Sequence, residues 1–134
     1  MIYYDEYGNK DNPAILMLHG AGALDTFCQQ YRFSERYHLI VPHLPGAGKA
    51  AEEVYDPEKT KQALYELIVG LKKDRIGLIG HSLGGQLAVM LVLAQNPHCQ
   101  TRIFAKACHD FPMKNAAELN KHLEQIFSEH ACNQ

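Results

Sequence analysis

Over residues 77–85 the chain reads Gly77-Leu78-Ile79-Gly80-His81-Ser82-Leu83-Gly84-Gly85. A short apolar run ends in Gly-x-Ser-x-Gly, and an apolar helical pattern begins directly behind it. A strand that turns into a helix so abruptly forces its apical residue into strained backbone angles, and its flanks must lack side chains if strand and helix are not to collide. We therefore predict a strand–turn–helix unit, here called the elbow, that lifts the Ser82 hydroxyl clear of a sheet, with the positive end of the helix directed at it.

Apolar runs alternate with helical patterns along the rest of the chain. Strands are predicted at residues 2–7 (an edge strand), 14–18, 37–41, 75–79 and 101–105, and helices at residues 25–36, behind a cap at Asp56, at 83–94 and from Asn115. Uninterrupted apolar runs such as residues 14–18 are typical of parallel strands that are covered on both faces. The fold class is therefore α/β, with a mostly parallel sheet, helices on both faces and functional sites at the carboxyl ends of the strands.

The helical patterns predict different degrees of burial. Asp56 is an N-cap candidate, and Pro57 suits the first helical position. Residues 83–94 are apolar on nearly every face, which predicts a central, buried helix. The helix from Asn115 is amphipathic, with an inner face formed by Leu119, Leu123, Ile126 and Phe127.

Length and composition exclude several classes of protein. A chain of 134 residues predicts a single domain, residues 1–134, that can bury a core without disulfides or metal. The net charge of −2 argues against nucleic acid or an anionic membrane as partner, and no apolar stretch is long enough to span a membrane. The four cysteines lack metal-binding spacing and no secretion signal is recognisable, so we expect reduced thiols and a cytoplasmic protein.

Chemistry at Ser82 requires a base and hydrogen-bond donors. A serine hydroxyl needs a group to take its proton, and imidazole titrates in the right range. A histidine loop containing His109 follows the strand predicted at residues 101–105. The amide N–H of Leu83, behind the turn, and that of Ala21, in a His-Gly-x-Gly loop, are candidate donors to an oxyanion.

Four segments together resemble the α/β-hydrolase family, in the order that the family has them. They are His19-Gly20-Ala21-Gly22, Pro42-His43-Leu44-Pro45-Gly46-Ala47-Gly48, Gly80-His81-Ser82-Leu83-Gly84 and Ala107-Cys108-His109-Asp110-Phe111-Pro112. The resemblance covers almost the whole chain and identifies it as a minimal, cap-less member.

The resemblance also implies roles for individual residues. Ser82 is the expected nucleophile, His109 the general base, and Ala21 and Leu83 the oxyanion donors. The implied reaction is hydrolysis of a small ester or acyl compound through an acyl-enzyme, with no cofactor and no metal.

This chain departs from the family pattern in two places. Only residues 96–100 join the elbow helix to the last predicted strand, where longer members carry further strands and the acid of the triad. No Asp or Glu can therefore be assigned as that acid: Asp110 directly follows His109, and Asp25 and Asp74 have no motif support. The segment after residue 41 usually begins with aspartate and here has His43, which puts the bracing of its loop in doubt.

The remaining histidines and cysteines are given structural roles. We expect His19 to brace the oxyanion loop, His43 to make local hydrogen bonds, and His81 to be structural or to line the pocket. Cys108 is read as a buried thiol, because its loop is not an elbow. No His-x-x-x-His or His-Glu pair lies on a predicted helix, so no metal site is expected.

Two further functions stay open beside a slow serine esterase. The missing acid also fits a hydrolase-like protein that binds a ligand or partner without turnover, or a shortened and inert form of a longer hydrolase. The shortening places the strand at 101–105 next to the elbow strand and leaves a bare sheet edge. From that edge we predict a homodimer.

Overall fold

The computed structural model describes residues 1–95 and 116–131. The strands are β1 (Tyr4–Tyr7), β2 (Ala14–Leu18), β3 (His38–Pro42) and β4 (Ile76–Gly80); the α-helices are α1 (Pro57–Gly70), α2 (Leu83–Gln95) and α3 (Ala116–Ala131); and short 3-10 helices span Cys28–Glu35 and Gly48–Ala50. The strand predicted at residues 101–105, the loop holding His109, and Asn115 lie outside the described residues.

The described strands form one mixed, mostly parallel sheet in the order β1-β3-β2-β4. β2 is parallel to β3 and to β4, and Leu18 at its end is opposite Gly80. β1 runs antiparallel to β3, with Asp5 opposite Val41. The carboxyl ends of β2, β3 and β4 therefore meet at one edge of the sheet, beside the start of β1.

Side chains from both faces of the sheet are buried, as the apolar runs predict. Alternate residues of β2 enter opposite layers: Ile15 and Met17 pack with the Cys28–Glu35 segment and α3, whereas Leu16 and Leu18 pack with α1 and α2. Helices thus cover both faces, which confirms the predicted α/β class. The predicted bounds of β2 match the structure, and those of β3 and β4 differ by one residue at each end.

The first long helix begins as its sequence predicts. The Asp56 carboxylate accepts a hydrogen bond from the Lys59 N–H at 3.0 Å, and Pro57 occupies the first helical position. The cap satisfies a backbone donor that would otherwise lack a partner within the helix. Leu64, on the apolar stripe of α1, is fully buried.

The helix predicted over residues 25–36 is present in part and is not an α-helix: turns up to residue 27 lead into a 3-10 helix over Cys28–Glu35. Its buried side chains are those of Thr26, Phe27, Gln30 and Phe33, and the last three recur every three residues. A 3-10 helix with three residues per turn keeps these positions on one face, whereas an α-helix would rotate them away from each other. The tighter helix therefore buries both phenylalanines at once.

Helix α2 is less buried than its composition predicts. Leu87 and Leu91 are buried against the sheet, but Val89, on the opposite side, is 49% exposed. A helix that covers one face of a sheet has only one buried side, whatever the composition of the other. The expectation of burial on nearly every face is therefore wrong.

Helix α3 docks on the 3-10 helix through its predicted inner face. Leu119 and Leu123 are buried, and the ring of Phe127 meets that of Phe33 edge to face with centroids 5.5 Å apart. The Gln30 side-chain N–H donates to the Asn120 side-chain oxygen at 3.0 Å. This buried amide pair fixes α3 in register.

Over residues 1–95 and 116–131, no helix combines the length and apolar character needed to cross a membrane.

Candidate active site

The turn between β4 and α2 has the strained geometry that its sequence predicts. Ser82 has φ +55°, in the left-handed region, and its side chain is exposed at the start of α2. The His81 N–H donates to the Leu18 carbonyl at 3.1 Å, and the Gly84 N–H donates to the His19 carbonyl at 3.1 Å. The turn is therefore tied to the end of β2, which holds the serine at a fixed place above the sheet.

Two glycines make this close approach possible. A Cβ on Gly84 would overlap the Leu18 carbonyl, and one on Gly80 would overlap the Gly84 carbonyl. The backbones of the strands and the helix are therefore in direct contact at the two positions that side chains would otherwise occupy. The requirement for small residues on both sides of Ser82 is confirmed.

A tight turn over residues 20–23, here called the 20–23 turn, lies beside Ser82. The Ala23 N–H donates to the Gly20 carbonyl at 3.1 Å. The Gly20 N–H donates to the Thr26 hydroxyl at 3.1 Å, which in turn donates to the Ala23 carbonyl at 2.6 Å. A Cβ on Gly20 would lie 3.7 Å from the Ser82 Cβ. This turn therefore carries the backbone of Ala21 at its exposed tip, close to the serine.

His19 braces this turn, as predicted. Its Nδ1–H donates to the Gly20 carbonyl at 2.6 Å, and its Nε2 accepts from the Leu44 N–H at 3.1 Å. Burial lowers the pKa of His19 below its ordinary value, although the bond to Gly20 and the charge of Asp25 act in the opposite direction. A neutral ring with both nitrogens in use joins two loops and does not transfer protons.

His43 is also a bracing residue, and the doubt raised by the missing aspartate is removed. Its Nδ1 accepts from the Lys49 N–H at 2.9 Å, and its Nε2–H donates to the Asp5 carboxylate at 3.0 Å. Sequence reasoning missed Asp5 and Thr26. Neither belongs to a motif, and only the antiparallel pairing of β1 with β3 brings Asp5 to His43.

Two further predicted site residues, His81 and Leu83, lie on either side of Ser82 in the described part of the chain. The His81 ring faces the 20–23 turn, since its Nδ1 would lie 3.2 Å from a Cβ on Gly20, which fits its expected pocket-lining role. Leu83 is the first residue of α2, where backbone N–H groups lack partners inside the helix. His109 and Cys108 lie outside the described residues, and Cys28 is a free thiol.

The described part of the chain holds no cluster of side chains suited to a metal ion. Across residues 1–95 and 116–131, no three His, Cys, Asp or Glu side chains are grouped as ligands of a metal ion would be. His43 and His38 face single carboxylates, Asp5 and Glu6 respectively. These pairs join strands and loops to each other.

The family model of the alpha/beta hydrolases matches residues 15–127, which is most of the chain. The chain belongs to the alpha/beta hydrolase family. The match includes the elbow at Ser82, the 20–23 turn and most of the amphipathic helix α3. The resemblance drawn from the motifs is therefore confirmed at the level of the family and its fold.

Individual relatives are longer proteins with different names. The chain is 35% identical over 91 residues to the magnesium-chelatase 30 kDa subunit of Rhodobacter capsulatus, a match that covers 64% of this chain and 32% of that protein. It is 30% identical over 135 aligned positions to epoxide hydrolase 3 of Xenopus tropicalis, covering 87% and 35% respectively. The chain thus spans about a third of the length of these relatives.

A solved structure shows the same architecture. The lipase-esterase related protein of Clostridium acetobutylicum superimposes with a TM-score of 0.63 at 27% identity, over 75% of this chain and 44% of that one. These comparisons show the family and the fold of this chain.

Proposed function

We propose that this chain is a serine hydrolase that cleaves small esters or related acyl compounds through an acyl-enzyme on Ser82. The observation that carries the proposal is the exposed Ser82 at φ +55°, at the start of α2 and next to Gly20 of the 20–23 turn. A nucleophile at a helix N-terminus, beside a tight turn whose Ala21 N–H is a candidate oxyanion donor, is suited to attack a carbonyl and to stabilise the charge that forms.

In the proposed reaction, the Ser82 oxygen attacks the substrate carbonyl carbon while its proton passes to the His109 imidazole. The N–H groups of Ala21 and Leu83 hydrogen-bond to the oxyanion. Protonated His109 then gives its proton to the leaving alcohol. Water, deprotonated by the same imidazole, attacks the acyl carbon, and the proton on His109 passes to the Ser82 oxygen as the carboxylic acid leaves. The role of His109 rests on its loop's resemblance to the family pattern.

Serine chemistry favours acyl transfer over epoxide opening. If Ser82 opened an epoxide, the product would be an ether, which offers water no carbonyl carbon to attack. An acyl ester on Ser82 does offer one, and it can be hydrolysed by the groups that formed it. We therefore infer ester hydrolysis, in line with the lipase-esterase related structural neighbour and not with the epoxide hydrolase relative.

We expect turnover to be slow and weakly selective. Loss of the acid in well-studied triads lowers turnover by about ten-thousand-fold, since the imidazole loses its orienting partner. No triad acid is assigned in this chain. The short connection after the elbow helix, residues 96–100, leads us to expect no cap, and hence an open, shallow site with little substrate discrimination.

Labelling with an activated fluorophosphonate tests this function. The expected result is one adduct per chain, on the peptide that holds Ser82, with none on Ser82→Ala and strongly reduced labelling of His109→Ala. Each variant is compared with the parent by circular dichroism, so that loss of labelling is read only on folded protein. Equal labelling of the parent and Ser82→Ala contradicts the proposal.

A binding function without turnover is the second candidate. It is favoured by the unassigned acid and by the relative that is named as a subunit of magnesium chelatase. A folded parent chain that takes up no fluorophosphonate supports this candidate, or an inert shortened hydrolase, over the esterase.

We also propose that the chain is a homodimer through the edge of its sheet. Within the described residues, β4 is the last strand of the sheet, and edge strands promote pairing with another chain. Sedimentation equilibrium at micromolar concentration is expected to give twice the mass of the chain. A monomeric mass refutes the dimer and leaves the proposed chemistry untouched.

A cytoplasmic location is proposed from the cysteines. We expect Cys28, Cys99, Cys108 and Cys132 to remain reduced in the cell, as in other cytosolic proteins. Alkylation of thiols at the moment of lysis, followed by mass spectrometry, should therefore modify all four. A disulfide found in that experiment contradicts this location.

A further inference from the structure

We infer that Asp5 and His43 form a positioning pair that holds the loop of residues 43–50 against the 20–23 turn and so sets the place of the Ala21 N–H. The inference rests on the proposed function for its catalytic consequence, although its structural part stands independently. Neither residue reacts with substrate. They act through the backbone of two neighbouring loops.

The His43 ring is held on both sides. Its Nδ1 accepts from the Lys49 N–H at 2.9 Å and its Nε2–H donates to the Asp5 carboxylate at 3.0 Å. The His43 side chain is 5% exposed, whereas that of Asp5 is 43% exposed. A carboxylate at Nε2 fixes the tautomer that carries its hydrogen there, and this leaves Nδ1 as the acceptor that Lys49 requires. Asp5 therefore acts on the loop through the choice of tautomer.

The braced loop lies against the 20–23 turn and against Leu24, the residue that follows it. A Cβ on Gly48 would overlap His43 Nδ1 and lie 2.9 Å from Leu24 Cδ2, so the ring, the Gly48 backbone and the Leu24 side chain are in close contact. The Gly46 carbonyl lies 4.0 Å from the place of a Cβ on Gly22. The 43–50 loop therefore forms one wall against which the turn and the residue after it rest.

A second connection runs through the residue after His43. The Leu44 N–H donates to His19 Nε2, and His19 Nδ1–H donates to the Gly20 carbonyl. The 43–50 loop thus reaches the 20–23 turn by two routes: Gly48 packs at Leu24, and Leu44 hydrogen-bonds to His19. If the 43–50 loop shifts, both contacts shift with it, and the backbone around Ala21 moves relative to Ser82.

The chain provides a matched control on the same two strands. His38 Nε2 and the Glu6 carboxylate are 2.6 Å apart, and His38, like His43, is almost fully buried. This pair also joins β1 to β3, but His38 lies at the amino end of β3, away from Ser82. Loss of either pair weakens the attachment of β1, and only loss of the Asp5–His43 pair reaches the 20–23 turn.

The test compares His43→Ala, His43→Asn, Asp5→Ala and Asp5→Asn with His38→Ala and Glu6→Ala. The rate of fluorophosphonate labelling at Ser82 is expected to fall by about ten- to a hundred-fold in His43→Ala and Asp5→Ala, because small displacements at a reacting centre have effects of that size. In His43→Asn the amide oxygen can still accept from Lys49, so part of the rate should return. Asp5→Asn keeps an acceptor for Nε2–H and should lie between the parent and Asp5→Ala. His38→Ala and Glu6→Ala should label at the parent rate.

Amide hydrogen exchange provides a readout that does not require catalysis. Exchange at residues 20–24, 44 and 49 is expected to accelerate in His43→Ala and Asp5→Ala, and to remain at the parent rate there in His38→Ala. Unchanged exchange at these residues, or equal labelling losses in the His43 and His38 variants, would overturn the inference. If the parent does not label at all, the proposed function fails, and the exchange comparison still decides the positioning role. If His43→Ala does not fold, both measurements are made on Asp5→Ala, because the Asp5 side chain is only half-buried.

Discussion

The backbone conformation of Ser82 lowers the stability of the folded chain. A residue with a side chain at φ +55° is disfavoured by roughly 1–2 kcal/mol, because its Cβ approaches the following carbonyl. The surrounding hydrogen bonds to Leu18 and His19 hold it there. Strain of this kind is common at functional sites, and it is the residue-scale feature on which the proposed chemistry depends.

Glycine at position 82 should relieve that strain. We expect the free energy of unfolding to be about 1 kcal/mol higher for Ser82→Gly than for Ser82→Ala, since only glycine adopts a left-handed φ without steric conflict. Urea denaturation of the two variants, both of which lack the hydroxyl, measures the difference. An alanine variant as stable as the glycine variant would show that the turn is unstrained.

His19 should make stability dependent on pH. Burial lowers its pKa in the folded state from the ordinary value of 6.5, so the unfolded chain binds more protons just below that pH. The stabilisation is complete above 6.5 and is lost as pH falls towards the lowered pKa of the folded state.

The slope of stability with pH isolates this effect of His19. Between about pH 7 and about pH 5, the parent should lose unfolding free energy more steeply than His19→Gln, by at most about 1.4 kcal/mol per pH unit. Urea titrations at several pH values check this. Parallel curves for the two proteins would mean that His19 titrates alike in both states.

At the scale of elements, β4 and α2 both pack against β2, and this packing depends on close backbone contact at the elbow. Gly84 and Gly85 both lie in the first turn of α2, yet only Gly84 lies against the end of β2. A Cβ on Gly84 would overlap the end of β2, whereas one on Gly85 would lie 3.5 Å from the Gly80 carbonyl, an ordinary contact.

Paired alanine substitutions test this contact. Gly84→Ala is expected to lower the unfolding free energy by about 3 kcal/mol, because the backbone must move apart to admit the methyl group. Gly85→Ala should be neutral or raise it by up to about 1 kcal/mol, since alanine favours the helix. Thermal and urea unfolding of the two variants measure both effects, and similar losses in both would contradict the packing described.

Elements could be predicted from the sequence where local patterns decide them. The apolar run of β2 and the cap at Asp56 are local signals, and both are confirmed. The 3-10 helix Cys28–Glu35 could not be predicted in this way, because its conformation follows from burying Phe27 and Phe33 together against α3 and the sheet. Tertiary packing overrode a weak helical pattern there.

At the scale of the whole molecule, the order of motifs was sufficient to predict the family and the α/β fold, and these are confirmed. The site was predictable as far as motifs reach: His19 and the elbow lie where the sequence places them. The Asp5–His43 pair was not, because it joins residues that are distant in sequence and needs the antiparallel pairing of β1. The single domain and the roles of Ser82, His109, Ala21 and Leu83 stay predictions.

Trapping of the acyl-enzyme tests the central claim most directly. The parent chain is mixed briefly with a nitrophenyl ester, quenched in acid, and analysed by intact mass and peptide mapping. The proposed mechanism predicts a single acyl group, on the peptide containing Ser82, that disappears with time and never forms on Ser82→Ala. An acyl group on another residue, or ester cleavage that persists in Ser82→Ala, would contradict it.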